Sequence, residues 1–222
     1  MGNLSLTLFI SFAAPLCMTL VVCKGRTRTL LSFLLIGMTV CLFCGELNAL
    51  VYYTNAIEMK YYIANFTPLF EEIFKALPIL FFAFVYKPER RTLLECSLLV
   101  GVGFAVLENA FILGSEAGTV SVLTALIRGF GAGMLHGVCT LAVGYGMTFV
   151  HTYRKFFYTG TVALLTSAII FHSIYNMLVQ AEHYIVGTLL PTVIFVLVLF
   201  LLKQTEKERK KPKTEIQKSE VL

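Results

Sequence analysis

Charged residues are scarce in this sequence, and their scarcity excludes an ordinary soluble domain. Asp, Glu, Lys and Arg make up 14% of the 222 residues, whereas soluble globular domains contain about 25%. No polar stretch is long enough to fold by itself outside a membrane. Hydrophobic residues account for 57% of the chain, which places it among polytopic membrane proteins.

Other absences narrow the functional class. The sequence has no basic groove interleaved with aromatic residues, so we expect no nucleic-acid partner, and we attribute the net charge of +5 to membrane topology. The first residues lack the basic segment of a secretory signal, so we expect residues 4–22 to be retained as a span. Cys41 and Cys44 form a lone C-x-x-C, which favours buried thiols over a redox or metal motif.

The apolar runs predict an all-α, polytopic membrane bundle of about seven transmembrane helices. The predicted spans are residues 4–23, 29–53, 66–86, 93–114, 129–150, 158–178 and 184–203. Each is long enough to cross a hydrocarbon core of about 30 Å. Residues 119–128 predict a short extra helix or a tilted extension, and the glycine-rich run 129–133 predicts close helix approach.

The basic residues predict the orientation of this bundle. Lys and Arg follow the first, third, fifth and seventh spans, whereas the loops after the second, fourth and sixth spans carry few. The positive-inside rule then puts the N-terminus outside and the C-terminus in the cytoplasm. We expect a multi-pass cell-membrane protein with one membrane domain over residues 1–203. Its basic cytoplasmic tail, 204–222, is expected to be disordered or to lie on the anionic inner surface of the bilayer.

Ionisable residues inside the predicted spans are the main functional signal. Glu71, Glu72 and Lys75 lie close together in the third span, and each would cost about 2.5–3.5 kcal/mol at a span centre on insertion scales. They therefore need partners, water or a metal. Lys75 is spaced i,i+4 from Glu71 and i,i+3 from Glu72, so it can pair with either carboxylate.

Three later spans supply further polar groups at the same predicted depth. Glu108, His136 and His172 each fall about 9–10 Å from the outer end of their spans, close to the depth of Glu71 and Glu72. Imidazoles and carboxylates from different helices are a suitable ligand set for Zn²⁺ with one position left for water. A carboxylate beside that water can act as general base.

Each of these residues also has an ordinary structural role open to it. The acidic pair can form a water-accessible ion pair with Lys75, Glu108 can pair with Lys75 or Arg128, and bundle histidines often only donate hydrogen bonds. Glu46 lies at a similar depth, and we interpret it as structural. The whole set also suits an ion- or proton-coupled transporter, although repeat symmetry and paired broken helices are missing.

Four short motifs on consecutive spans resemble the PrsW family of intramembrane proteases, within the CAAX-protease superfamily. The motifs are Glu71–Lys75 (EExxK), Phe104–Asn109 (FxxxEN), Arg128-Gly129 followed by His136, and His172–Asn176 (HxxxN). They cover a core of about residues 66–180. The CAAX branch carries histidine in the second motif, so Glu108 points to the PrsW branch.

The resemblance implies cleavage of a membrane-protein substrate near the outer face of the bilayer, typically a single-span anti-sigma factor. It leaves open a zinc-bound water activated by glutamate, a metal-free glutamate mechanism, and a non-catalytic scaffold like another member of the superfamily. We predict the protease, with Glu71 slightly preferred over Glu72 as the base. The predicted site residues are Glu71, Glu72, Lys75 and Asn176 in catalytic roles, Glu108, His136 and His172 as metal ligands, and Asn109 and Arg128 as supporting hydrogen-bond donors and acceptors.

Overall fold

A computed structural model describes residues 2–54, 57–115 and 121–209 as a bundle of helices, with side chains placed for residues 4–200 of those ranges. The elements are α1 (Gly2–Val22), α2 (Gly25–Thr54), α3 (Met59–Val85), α4 (Arg90–Ser115), α5 (Val122–Ile127), a π-helical turn (Arg128–Ala132), α6 (Gly133–Met147), α7 (Arg154–Gln180) and α8 (Tyr184–Arg209). Because α5, the π turn and α6 follow one another without a break, the described chain forms seven helical rods. The all-α prediction is confirmed.

Five of these rods are long and apolar enough to cross a membrane. They are Leu4–Val22, Gly25–Thr54, Arg90–Ser115, Val122–Met147 and Arg154–Gln180. Of the other two predicted spans, α3 has the length but carries four charged residues, and the apolar part of α8, Tyr184–Phe200, is shorter.

The side chains are distributed as expected for a protein surrounded by lipid. Large apolar residues such as Val21, Val122 and Ile185 are exposed on the outside of the bundle, whereas Lys75 and Glu72 are buried within it. Lipid solvates an apolar surface, so the polar groups of such a protein gather inside, where they can satisfy one another. The chain is thus built as a multi-pass membrane protein.

Several helix boundaries differ from the predicted spans. Helix α3 begins at Met59 rather than near residue 66, so Glu71 lies about 18 Å along the helix at 1.5 Å per residue, deeper than the predicted 8–9 Å. The short helix expected around residues 119–128 is present as α5. Helix α8 continues to Arg209, past the predicted end of the last span, and the remaining tail, 210–222, lies outside the described residues.

Glycines set the spacing between α2 and α4. A Cβ atom on Gly37 would lie 2.1 Å from the carbonyl oxygen of Val100, and one on Gly103 would lie 2.0 Å from that of Leu34. Neither contact tolerates a side chain, so the two backbones touch directly, as small residues allow in membrane bundles. This α2–α4 pair forms one rigid wall of the bundle.

Helix α6 lies at the centre of the bundle, and most of its residues are buried. It contacts α3, α4, α7 and α8, and its Leu135, Cys139 and Val143 belong to the main apolar cluster with Ile79 and Val100. The π turn that leads into α6 occupies the glycine-rich run where we predicted close helix approach. The prediction holds at Gly131, where a Cβ would lie 3.4 Å from the Cα of Thr188 on α8, whereas beside Gly129 and Gly133 there is open space.

Candidate active site

Ionisable side chains from four helices meet at one buried point. Helix α3 brings Glu71, Glu72 and Lys75, and Glu108, His136 and His172 come from α4, α6 and α7. We call these six residues the catalytic cluster. Glu108 is the most accessible of the acids, with 23% of its side chain exposed. The convergence predicted from the spans is therefore present in the fold.

Lys75 and Glu72 form the fixed centre of the catalytic cluster. The Lys75 Nζ donates to Glu72 Oε1 at 2.6 Å, and the same oxygen lies 2.8 Å from Nδ1 of His172. Glu72 is ionised beside the lysine and can only accept, so His172 must donate through Nδ1–H. In the neutral ring with its proton on Nδ1, the lone pair of Nε2 can bind a cation. A carboxylate behind a histidine in this way is a frequent support for metal ligands.

His136 is held at both ring nitrogens. Its Nδ1 lies 2.9 Å from Lys75 Nζ, and its Nε2 lies 3.0 Å from Glu108 Oε2. The same Glu108 oxygen is 3.8 Å from the guanidinium of Arg128. The backbone here is also fixed, because a Cβ on Gly101 would lie 2.3 Å from the carbonyl oxygen of His136. The α4–α6 contact thus sets the position of the ring.

Glu71 differs from its neighbour in having no comparable partner. Its Oε2 atom is buried and has no hydrogen bond among the described residues, and it lies 3.8 Å from Nε2 of His172. Glu72 also leaves Oε2 unpaired, but its other oxygen takes both the lysine and the imidazole. An unpaired buried carboxylate oxygen is costly unless water, a metal or a substrate completes it.

The donor set fits a divalent metal. Ligand atoms of Glu71, His136 and His172 lie within 4.8 Å of one another, and three N/O ligands with an open fourth position are typical of catalytic zinc sites. His172 is already oriented for ligation through Nε2. His136 can ligate through Nε2 only with its proton on Nδ1, so Lys75 would then have to face that proton as a neutral amine. Glu71 is the carboxylate of this set, and Glu108, the acid predicted as a ligand, contacts Nε2 of His136 at 3.0 Å.

Two cavities reach the catalytic cluster. The first, which we call the polar cavity, has a volume of about 130 Å³ and lies between α3, α4, the π turn, α6 and α7. Apolar side chains share its lining with five polar ones that face the site, Glu108, Arg128, His136, His172 and Asn176. The second, which we call the apolar cleft, has a volume of about 340 Å³ and lies between α2, α3 and α4, with Ser5 of α1 at its edge. Glu71 lines the cleft, Glu108 lines both spaces, and Glu72 lines neither.

Asn109, predicted as a supporting residue, and Asn176, predicted in a catalytic role, lie around the catalytic cluster and donate to backbone atoms. Asn109 donates from Nδ2 to the carbonyl oxygen of Arg128 at 3.2 Å, which ties α4 to the π turn. Asn176 donates from Nδ2 to the carbonyl oxygen of Ile63 at 3.0 Å, so it ties α7 to α3 at the edge of the polar cavity. Glu46, interpreted as structural, lines the apolar cleft.

Two contacts in the catalytic cluster could not be predicted from the sequence. One is the hydrogen bond from His172 to Glu72, which joins residues 100 positions apart. The other is Phe104, whose ring lies 4.7 Å below Lys75 Nζ and 4.9 Å from the ring of His136. The i,i+4 spacing of Phe104 and Glu108 puts both on one face of α4, but nothing in the sequence indicates the contact between Phe104 and Lys75.

Paired acids, imidazoles and a lysine are buried inside a helical membrane bundle, at a point that two cavities reach. These are the functional groups of a membrane-embedded hydrolase. The chain belongs to the PrsW family of intramembrane metalloproteases, since the family model matches residues 25–202. It is therefore a membrane peptidase that acts on membrane-protein substrates. The match confirms the predicted resemblance and extends it to α2 and α8, while α1 lies outside it. No curated protein and no solved structure gave a significant match.

Proposed function

We propose that this protein hydrolyses a peptide bond of a membrane protein with Glu71 as general base. The observation that carries the proposal is the buried, unpaired Oε2 of Glu71, which lies 3.8 Å from a histidine nitrogen and borders the apolar cleft. Glu72 is less suited because its Oε1 is already bound to Lys75 and His172. A base must have a lone pair directed at the water that it deprotonates.

The reaction assigns a role to each residue of the catalytic cluster. Glu71 takes a proton from water as the water oxygen attacks the scissile carbonyl carbon, and it returns that proton to the amine nitrogen as the C–N bond breaks. Glu72 and Lys75 hold His172, and Glu108 holds His136. The Arg128 guanidinium supplies positive charge and hydrogen-bond donors for the carbonyl oxygen, which becomes negative in the transition state.

The metal that fits this site is zinc. His136, His172 and one carboxylate oxygen of Glu71 would hold it, so that the other oxygen of Glu71 would remain the proton acceptor. When bound, the metal would polarise the scissile carbonyl and make water nucleophilic at neutral pH. One contact favours the metal-free alternative, because a protonated Lys75 beside Nδ1 of His136 at 2.9 Å leaves the ring proton on Nε2. Metal content of the purified protein separates the two mechanisms.

On the predicted topology, the reaction takes place nearer to one side of the membrane than to the other. With the N-terminus outside, the catalytic cluster lies in the outer half of the bilayer, and the basic loops and tail face the cytoplasm. Seven rods would then cross the membrane, including α3 with its charges shielded inside the bundle and α8. The resemblance to the family suggests a single-span anti-sigma factor as substrate.

The test is a comparison of new protein N-termini in membranes of cells that express the wild type or the Glu71→Gln variant. We expect fragments cut near the outer end of a membrane span with the wild type only. Glu89→Gln is the matched control, because Glu89 is exposed between α3 and α4. Identical N-termini for the wild type and Glu71→Gln would refute the proposal.

A further inference from the structure

Glu46 lines the apolar cleft but has no partner in the part of the protein that the structure describes. It is exposed, and it forms no hydrogen bond or ion pair with any described residue. Charged residues in membrane spans almost always pair with one another or face a water-filled cavity. The structural role predicted for Glu46 would need a neighbouring group, and the described residues do not supply one.

The charges around the catalytic cluster are divided unequally between the two cavities. Three carboxylates, those of Glu46, Glu71 and Glu108, line the apolar cleft, and no Lys, Arg or His is part of its described lining. The guanidinium of Arg128 and the two imidazoles of the catalytic cluster line the polar cavity instead. Glu71 and Glu108 each have an imidazole within 4 Å. Glu46 has no such neighbour among the described residues.

Two contacts between α2 and α3 fix the level of Glu46 in the bundle. The rings of Phe43 and Phe74 lie 5.0 Å apart, and the Tyr62 hydroxyl donates to Oδ1 of Asn48 at 3.1 Å. The later residue of α2 thus meets the earlier residue of α3, so the two helices run antiparallel. Glu46 lies between the two contacts on α2, and its level on α3 lies between their partners.

This level is close to that of the proposed base. Interpolation between the two contacts puts Glu46 level with residues 67–71 of α3, which is within about one helical turn of Glu71. The Oε2 atom of Glu71 is buried and unpaired, and the side chain borders the same cleft. A peptide bond placed at Glu71 therefore has neighbouring side chains within reach of Glu46.

We propose that Glu46 binds a Lys or Arg side chain of the substrate close to the scissile bond, and so selects which membrane proteins are cut. This inference rests on the proposed function. The substrate cation supplies the opposite charge that Glu46 lacks, and such a pair is stronger where water is scarce. Leu42 and Phe111 also line the cleft, so they can contact the aliphatic stem while the charged end reaches the carboxylate.

Such a subsite would select few membrane proteins. Spans usually carry their basic residues on the cytoplasmic side, whereas the predicted topology puts Glu46 in the outer half of the bilayer. A Lys or Arg near the outer end of a span is therefore an uncommon feature that distinguishes a substrate from other single-span proteins. An acidic residue at the same position would be repelled by the carboxylates of the cleft, which adds to the discrimination.

The experiment measures cleavage of single-span test proteins by the full-length protein in phosphatidylcholine liposomes. In one series a single Lys is moved residue by residue through the outer third of the span, and in matched series Gln or Glu takes its place. At a short window of positions beside the cut, we expect kcat/KM for the Lys probe to exceed that for the Gln probe at least about tenfold, a modest effect for a close charge pair at an interface. Equal cleavage of Lys and Gln probes at every position would refute the proposal and leave water or a lipid headgroup as the partner of Glu46.

Glu46→Gln tests the assignment to this residue. It keeps the shape of the side chain and removes the charge, so the Lys probe should lose its advantage while the Gln probe is cleaved as by the wild type. Glu58→Gln is the matched control, because it removes an exposed carboxylate at the start of α3, and it should keep the preference for Lys. A preference retained in Glu46→Gln or lost in Glu58→Gln would overturn the assignment. Loss of cleavage of both probes in Glu46→Gln would show the structural role instead.

A binding measurement separates this inference from the proposed function. In the Glu71→Gln background, a carbodiimide should join the amine of the Lys probe to the carboxyl group of Glu46, and mass spectrometry of the crosslinked peptides identifies the pair. If the wild type cleaves no probe, the proposed function fails, yet this crosslink would still support a cation subsite at Glu46. Crosslinks to other carboxylates without one to Glu46, or no crosslink at all, would overturn the inference.

Discussion

The neighbouring glutamates of α3 should respond differently to the same substitution. Glu72 and Lys75 form a pair at 2.6 Å with both side chains 1% exposed, and Glu72 also binds His172. Glu72→Gln leaves the lysine charge buried without its partner, which costs about 3–5 kcal/mol. For a protein of this size each kcal/mol lowers Tm by about 2–4 °C, so a drop of about 6–20 °C is expected.

Glu71→Gln should spare stability and abolish turnover. The change keeps the shape of the side chain and replaces a carboxyl group whose Oε2 has no hydrogen bond among the described residues, so Tm should be equal to or above that of the wild type. Loss of the proton acceptor should reduce turnover by about 10²–10⁴-fold, the usual contribution of general acid–base catalysis. The two variants thus separate the base from its structural neighbour.

Unfolding can be followed with a dye that fluoresces when it reacts with thiols. Cys44, Cys96 and Cys139 are free and buried, so they react when the bundle opens, and the sequence contains no tryptophan for the usual fluorescence assay. Glu89→Gln again serves as the control for loss of an exposed carboxylate. A Tm loss in Glu71→Gln equal to that in Glu72→Gln, or full activity in both, would refute these assignments.

Three further predictions concern metal, topology and packing. Purified wild type should contain near-stoichiometric zinc by elemental analysis, and His136→Ala and His172→Ala should each lower it; an active metal-free preparation would contradict this. On a cysteine-free background, Lys60→Cys should react with an impermeant maleimide from outside the cell, and labelling only from the cytoplasm would reverse the topology. Gly103→Ala should lower Tm markedly, because its Cβ would lie 2.0 Å from the carbonyl oxygen of Leu34, and an unchanged Tm would show that the α2–α4 contact is looser than described.

The meeting of four helices could be predicted from the sequence, because charged residues in apolar spans must find one another. The choice between Glu71 and Glu72 could not. Adjacent helical residues point about 100° apart, and Lys75 is within reach of both carboxylates. The choice depends on His172, whose Nδ1 contacts Glu72 from another helix, and local spacing carries no information about so distant a partner.

Glycine roles were harder to predict than acid positions. Close packing was predicted for the dense run at 129–133, where Gly131 does approach α8, but much tighter backbone contacts occur at isolated glycines such as Gly37 and Gly103. Whether a glycine lies against a neighbouring backbone depends on where the other helix crosses. The sequence of one helix does not determine that crossing point. The start of α3 was also missed, since the aromatic residues before residue 66 suit an interface as well as a helix.

The π turn before α6 takes up one residue without changing the phase of the rod. A π turn holds one residue more than the α-helical turn that it replaces. Deleting one residue from 129–132 would therefore return the rod to uniform α-helix and leave Arg128 on the side of Glu108. A residue inserted between Gly133 and His136, where the rod is regular α-helix, would instead rotate everything before it by about 100°. Arg128 would then swing away from Glu108, while His136 kept its place against Gly101. Surface loops absorb gains and losses of residues, and in this rod the π turn can do the same, whereas the α-helix that follows it cannot.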